Sequence, residues 1–337
     1  GGLSSKWVVF LEGGGWCYSR ADCKYRAAKQ TTGSSLRWDG IGTDIYEGSS
    51  PLSNDPDANP FADFNKVIVK TCDGGSFVGD TRHGRLHFRG KSILKAVADE
   101  LAKRHGLGTS PDTHVLYTGC SAGGLGVVLT ANYFQEMLPP TVTKFKAMAC
   151  SGFFLDRGNL PELGGVPVYA QQMREYYFLS NSGLTVSDEC QRAQGRGNEW
   201  RCMLASVAAP YVKAPLFILN SAVDSWQLGC VLAASLRNPE LEADYRRGCA
   251  SAKGWGKCVG GGGRSGPLTE TCRKNQVLEV SRFSEDFQGS LVDSGILQRP
   301  GNGAFITSCV SHCGEYYRGQ WRHTRLHAAS QSSRREA

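Results

Sequence analysis

Apolar positions along the chain fall into two recurring patterns. Short continuous runs at Trp7 to Leu11, Lys66 to Thr71, His114 to Thr118, Phe145 to Ala149, Pro215 to Leu219 and Ala304 to Ser308 read as strands. The run at Trp7 has no polar alternation, which suits a strand buried on both faces. Between the runs, apolar residues recur at helical spacing. Leu125, Val128, Leu129 and Tyr133 mark a helix in the segment from Leu125 to Met137. Ile93, Leu94, Val97 and Leu101 mark another over 92–104, with Gly106 as its stop, and Gln276 to Phe287 reads as a third. The order strand, helix, strand, turn, helix predicts an α/β protein with a doubly wound, mostly parallel sheet and helices on both faces.

The stretches outside these patterns are expected to be loops and insertions. Residues 30–62 are rich in Gly, Ser, Asp, Asn and Pro and read as a long surface loop. Residues 157–213 and 238–275 are irregular, carry two and three cysteines respectively, and read as disulfide-stapled insertions forming a lid or substrate wall. Residues 1–326 are expected to form one domain, and 327–337 a basic, polar, disordered tail.

Thirteen cysteines in 337 residues, with no paired C-x-x-C zinc ribbon, favour a secreted, disulfide-bearing protein. The odd count leaves at least one thiol outside any intrachain pair. Cys17 and Cys23 are close enough in sequence to staple a loop. No signal peptide is recognisable, and with Gly1 just ahead of a strand the expectation is a fragment or mature piece whose secretion signal has gone. No apolar run is long enough to span a bilayer. The net charge of +7 is modest and is not interleaved with aromatics, so nucleic acid is not an expected partner. His83 and His87 are four apart, but no third ligand is evident and Gly84 interrupts a helix, so they read as surface histidines and no metal is expected.

The chemistry centres on Gly119-Cys120-Ser121-Ala122-Gly123-Gly124, a G-x-S-x-G turn between strand and helix. Such a turn holds the serine hydroxyl at the mouth of a cleft, with the Ala122 amide facing an oxygen that turns negative during attack. Cys120 is a rival nucleophile, expected to point away from the cleft. Glu12-Gly13-Gly14-Gly15-Trp16-Cys17 follows the first strand, and the amides of Gly15 and Trp16 are candidate oxyanion donors. Asp224 and His312 each follow a later strand, giving the chain order nucleophile, acid, base. Asp73 and Ser76, in the turn Cys72-Asp73-Gly74-Gly75-Ser76, and Gln227 are candidate substrate contacts, with turn capping the competing reading for Asp73 and Ser76.

These blocks resemble the pectin acetylesterase family, which includes the Notum-type carboxylesterases. The resemblance rests on Phe10 to Cys17, Asn59-Pro60-Phe61, Cys72 to Phe77, Phe88-Arg89-Gly90, Thr118 to Gly124, Asn220 to Gln227 and Ser308 to Cys313. It implies a secreted α/β-hydrolase, with no cofactor, in which Ser121, Asp224 and His312 are the triad and Gly15 and Trp16 belong to the oxyanion loop. Gly-Cys-Ser-Ala-Gly-Gly and Asp-Ser-Trp-Gln are closer to the plant type, which implies deacetylation of a cell-wall polysaccharide such as pectin; a monomer is expected. The alternatives are a Notum-type long-chain acyl-protein carboxylesterase and a non-catalytic carbohydrate-binding relative. The family has a further strand and a cysteine upstream of the position of Gly1, which implies that Cys72 is the odd thiol. Cys120 and Cys150 follow neighbouring strands and either pair or are simply buried.

Overall fold

The computed structural model describes residues 4–38, 51–235, 249–259 and 268–314. Its strands are β1 (Lys6–Leu11), β2 (Asn65–Val69), β3 (Thr81–His83), β4 (Leu86–Phe88), β5 (Thr113–Cys120), β6 (Val142–Cys150), β7 (Leu216–Ser221) and β8 (Gly303–Thr307). Its helices are α1 (Arg20–Lys29), α2 (Gly90–Arg104), α3 (Ala122–Glu136), α4 (Val168–Ser180), α5 (Asp188–Gln194), the short α6 (Ala205–Ala208), α7 (Ser225–Gln227), α8 (Trp255–Val259) and α9 (Leu268–Thr271), and the long α10 (Lys274–Asp293).

Six strands form one sheet in the order β2-β1-β5-β6-β7-β8, and every neighbouring pair is parallel. The chain steps from β1 out to the edge at β2, then returns past β1 and winds the other way from β5. The sheet therefore reverses direction between β1 and β5, where Leu11 lies opposite Gly119. A crevice opens at such a switch point, outside the carboxyl ends of the strands. The glycine run after β1 and the serine turn after β5 emerge there side by side.

Successive residues of a strand point to opposite faces. Trp7, Val9 and Leu11 of β1 join Val115 and Tyr117 of β5 under α2, α3, α4 and α10, in the main core. Val8, Phe10 and Leu116 point the other way, which is why the strands read as continuous apolar runs. Each fully buried Val, Leu or Phe contributes about 1.5–3 kcal/mol of transfer free energy. On α10, Val280, Phe283, Phe287 and Leu291 supply one apolar stripe. This helix outruns the expected 276–287 at both ends, and Leu291 carries its apolar stripe one turn past the expected end.

The second sheet face carries a smaller core cluster. None of α1 to α10 contributes to its core cluster. Leu52, Phe61 and Phe64 cover it instead. Asn59 shapes that cover, donating to the carbonyls of Pro51 and Ser53 at 2.7 Å each while accepting from the Phe61 amide. Among the described residues, the smaller core cluster is completed by this irregular segment. His83 and His87 lie on the antiparallel β3–β4 ribbon, and no cluster of potential metal ligands occurs among the described residues.

The 157–213 region is largely helical, with α5 tied to the following turn by Cys190–Cys202. Cys258–Cys272 closes a loop within 238–275, and Cys249 reaches outside it to Cys230. The tract 260–267 and the tail 327–337 lie outside the described residues, as do 39–50 of the long loop. Cys17 pairs with Cys23 and Cys120 with Cys313, leaving thiols at Cys72, Cys150 and Cys309. Cys72 is thus one of three thiols, where the resemblance implied it alone. Burial, reinforced by Asp73 and Glu12, pushes the Cys72 thiol up to about 11. None of the described helices is long and apolar enough to cross a membrane.

Candidate active site

Ser121 sits between β5 and α3 with φ 60° and ψ −127°, a region that non-glycine residues rarely occupy. Three ties over-determine it. The Ser121 amide donates to the Cys150 carbonyl at 3.0 Å, the Ser121 carbonyl accepts from the Leu125 amide at 2.9 Å, and Cys120 is cross-linked to Cys313. The glycines of the turn are required by space. A Cβ on Gly123 would lie 2.1 Å from the Leu11 carbonyl oxygen, and one on Gly119 2.7 Å from the same atom. Close passage of strand and helix is what leaves the hydroxyl exposed to the crevice.

Asp224 follows β7 and caps α7. Its Oδ1 accepts from the Gln227 amide at 3.0 Å, and the residue is fully buried. Oδ2 is left for His312, 2.8 Å from Nδ1. A carboxylate only accepts, so Nδ1 carries the proton and Nε2 is an acceptor. Nε2 lies 2.8 Å from Ser121 Oγ and receives its hydrogen bond. Residues 121, 224 and 312, from three separate strand ends, are therefore joined in one chain of hydrogen bonds. The segment carrying His312 is held by groups that sequence reading missed. Ser221 Oγ donates to the Cys309 carbonyl, the Ser225 amide to the Ser311 carbonyl at 3.1 Å, and the Cys313 amide to Ser151 Oγ at 2.9 Å. Only the cysteine count hinted at such a clamp. Cys120 is in a disulfide with Cys313 and so has no thiol to act as the rival nucleophile.

Ala122 opens α3, next to Ser121. Gly15 and Trp16 follow β1. The Trp16 indole is buried, donates to Gln172 Oε1 at 3.2 Å, and meets Phe154, Tyr169 and Trp226 with centroids 5.1, 5.6 and 5.1 Å away. Trp226 and Phe154 also flank the His312 ring, at 6.2 and 6.4 Å. The site is thus backed by a packed aromatic wall to which α4 contributes.

The three candidate substrate contacts are buried. Gln227 is fully buried; its Oε1 accepts from the Leu155 amide at 2.8 Å and its Nε2 donates to the Phe153 carbonyl at 3.3 Å. Its amide supports the wall from within. Asp73 accepts from the Gly75 and Arg89 amides at 3.1 and 2.8 Å, a turn-capping role. Burial outweighs these bonds and raises its carboxyl to about 6. Ser76 is buried at φ 50°, its Oγ without a hydrogen-bond partner.

A parallel sheet of this topology, with Ser121, Asp224 and His312 just beyond the ends of β5, β7 and β8, defines an α/β-hydrolase-like protein. A family model described as pectinacetylesterase matches residues 1–337. Pectin acetylesterase 5 of Arabidopsis thaliana is 31% identical over 321 residues, spanning 93% of this chain and 66% of its own. Palmitoleoyl-protein carboxylesterase NOTUM of Mus musculus is 30% identical over 240 residues, spanning 67% of this chain and 45% of its own. A solved structure of the Wnt deacylase Notum from Drosophila superposes with a TM-score of 0.70 at 23% identity, over 96% of this chain and 81% of that one. The chain spans about two thirds of the length of the first plant relative. It belongs to the pectinacetylesterase family and is, with it, a carboxylic ester hydrolase.

Proposed function

We propose that the chain is a secreted serine esterase that removes acetyl groups from a cell-wall polysaccharide such as pectin. The observation that carries this reading is the hydrogen-bonded chain Ser121, His312, Asp224. A serine hydroxyl is scarcely ionised at neutral pH, so attack needs a base to take its proton as the new bond forms. His312 Nε2 is in place for that transfer and afterwards returns the proton to the leaving sugar oxygen. Asp224 fixes the tautomer and stabilises the imidazolium. The amides of Gly15, Trp16 and Ala122 receive the negative oxygen of the tetrahedral intermediate, each such donor lowering the barrier by about 3 kcal/mol. Water then clears the acetyl group from Ser121 by the same steps. Five disulfides favour an extracellular setting.

The interlocked rings of Trp16, Phe154, Tyr169 and Trp226 support a short acyl group, because dense ring packing beside the nucleophile occupies space that a long chain needs. Similarity to NOTUM favours the second reading, a long-chain deacylase. A series of p-nitrophenyl esters separates the two. Under the first, kcat/KM falls steeply from acetate to octanoate; a preference for eight carbons or more overturns it. Absence of turnover on every short ester, with retained binding to acetylated pectin, would instead indicate a non-catalytic relative.

A further inference from the structure

An oxyanion loop made of glycines has no side chains to fix its peptide planes. We propose that Arg26 is the positioning residue of this loop. By holding the Gly14 carbonyl, its guanidinium turns the Gly15 amide, on the opposite side of the same peptide plane, toward the reacting oxygen. The inference rests on the serine-esterase reading above.

Arg26 lies on α1 and is 1% exposed. Ser19 caps that helix, accepting from the Asp22 amide at 3.1 Å, and Cys23, on its first turn, is cross-linked to Cys17 of the loop. Arg26 is three residues further along, on the same face as Cys23, so its side chain returns to the loop that the disulfide has already anchored. Its Nη2 donates to the Gly14 carbonyl at 2.5 Å and to Thr32 Oγ1 at 3.1 Å. Its Nε lies against the second glycine turn, 3.5 Å from where a Cβ of Gly74 would stand. The Cys17 amide donates to the Gly74 carbonyl at 2.8 Å, so the guanidinium sits between two loops already tied together.

In a trans peptide the C=O and the following N–H point in opposite directions. With the Gly14 oxygen on Arg26, the Gly15 N–H faces away from α1. Among the described residues it donates to no protein group. Gly14 and Gly15 have φ of 122° and 73°, conformations that other residues reach only with strain, so the plane is mobile unless something clamps it. A planar, permanently charged fork is suited to that task, and its charge polarises the peptide so that the N–H is a better donor. Burying a guanidinium costs several kcal/mol, which a packing role alone would not require, because an apolar side chain would fill the space without that cost.

The test uses Arg26→Met and Arg26→Lys with p-nitrophenyl acetate as substrate and 1,1,1-trifluoroacetone, which forms an anionic tetrahedral adduct on serine, as inhibitor. Misaiming one donor without removing it predicts that Arg26→Met lowers kcat by about 10- to 100-fold, short of the loss of the whole donor, with KM nearly unchanged. The inhibition constant should rise by the same factor, and Arg26→Lys should fall between variant and wild type. A folded Arg26→Met with wild-type kcat and inhibition constant overturns the proposal. If Arg26→Met does not fold, Arg26→Lys carries the same two readouts, and wild-type values for it are equally fatal. Ser121→Ala is measured alongside. Retained activity there defeats the esterase reading itself, whereas an inactive Ser121→Ala beside an unimpaired Arg26 variant defeats only the positioning role.

Discussion

Two glycine-rich turns leave neighbouring parts of the sheet, one after β5 at 119–124 and one after β2 at 72–77, and they look alike in sequence. Both follow a strand of the parallel sheet, both hold a serine at positive φ, and both crowd glycines against other backbone or side chains. The first leaves its hydroxyl hydrogen-bonded to a partly exposed imidazole. The second turns inward. Asp73 caps its own turn, Ser76 is enclosed, and a Cβ at Gly75 would strike the Tyr176 hydroxyl at 1.6 Å. A glycine turn at a strand's end therefore announces close packing. Only the direction of its polar side chain distinguishes chemistry from support.

The comparison breaks most visibly in activity. Ser121→Ala, Asp224→Asn and His312→Ala should each lose about 10⁴-fold or more in kcat while unfolding at nearly the wild-type temperature. A purified, folded His312→Ala with substantial turnover would remove the basis for treating the first turn as reactive.

A smaller effect separates the turns by pH. The folded state favours the neutral form of Asp73, whose carboxyl is raised from 3.8 to about 6. Stability from this group is therefore greatest below the unfolded value and declines as pH rises from 4 through 6, by on the order of 3 kcal/mol. Asp73→Asn cannot ionise, so its denaturant midpoint should be flatter across that window than the wild type's, although its one acceptor oxygen serves two amides less well. Equal slopes for the two proteins would show that Asp73 does not titrate as described.

The smallest effect sharpens the contrast between the two serines. Ser76→Ala removes a buried hydroxyl that has no partner, so kcat should stay within about 2-fold and stability should hold or rise slightly. A large fall in kcat/KM on acetylated pectin would return Ser76 to the substrate surface.

How much of this could be read from the chain follows from burial. β1 and β5 were legible because both of their faces are covered, leaving apolar runs. The order of Ser121, Asp224 and His312 was legible because each lies just beyond such a run. The cover of the second face was not, since Phe61 and Phe64 sit in a polar segment without periodicity. Gln227 looked like a pocket residue because glutamine is usually solvated, and only the fold reveals that both ends of its amide are occupied. Arg26 gave no sign at all. On a short polar helix, four residues after Asp22, it reads as a surface ion pair, and its burial depends on where Cys17 draws α1.

The cross-link between Cys120 and Cys313 spans 193 positions, and in the chain-entropy account closing so large a ring stabilises the fold by about 5 kcal/mol. It also makes the polypeptide between Ser121 and His312 part of a closed circuit. Cleavage of one backbone bond between these two residues opens the ring without parting the two side chains, which stay on one covalent molecule. A chain nicked once there should migrate as an intact chain until a reductant is added, and only then separate into two pieces, one bearing Ser121 and the other His312.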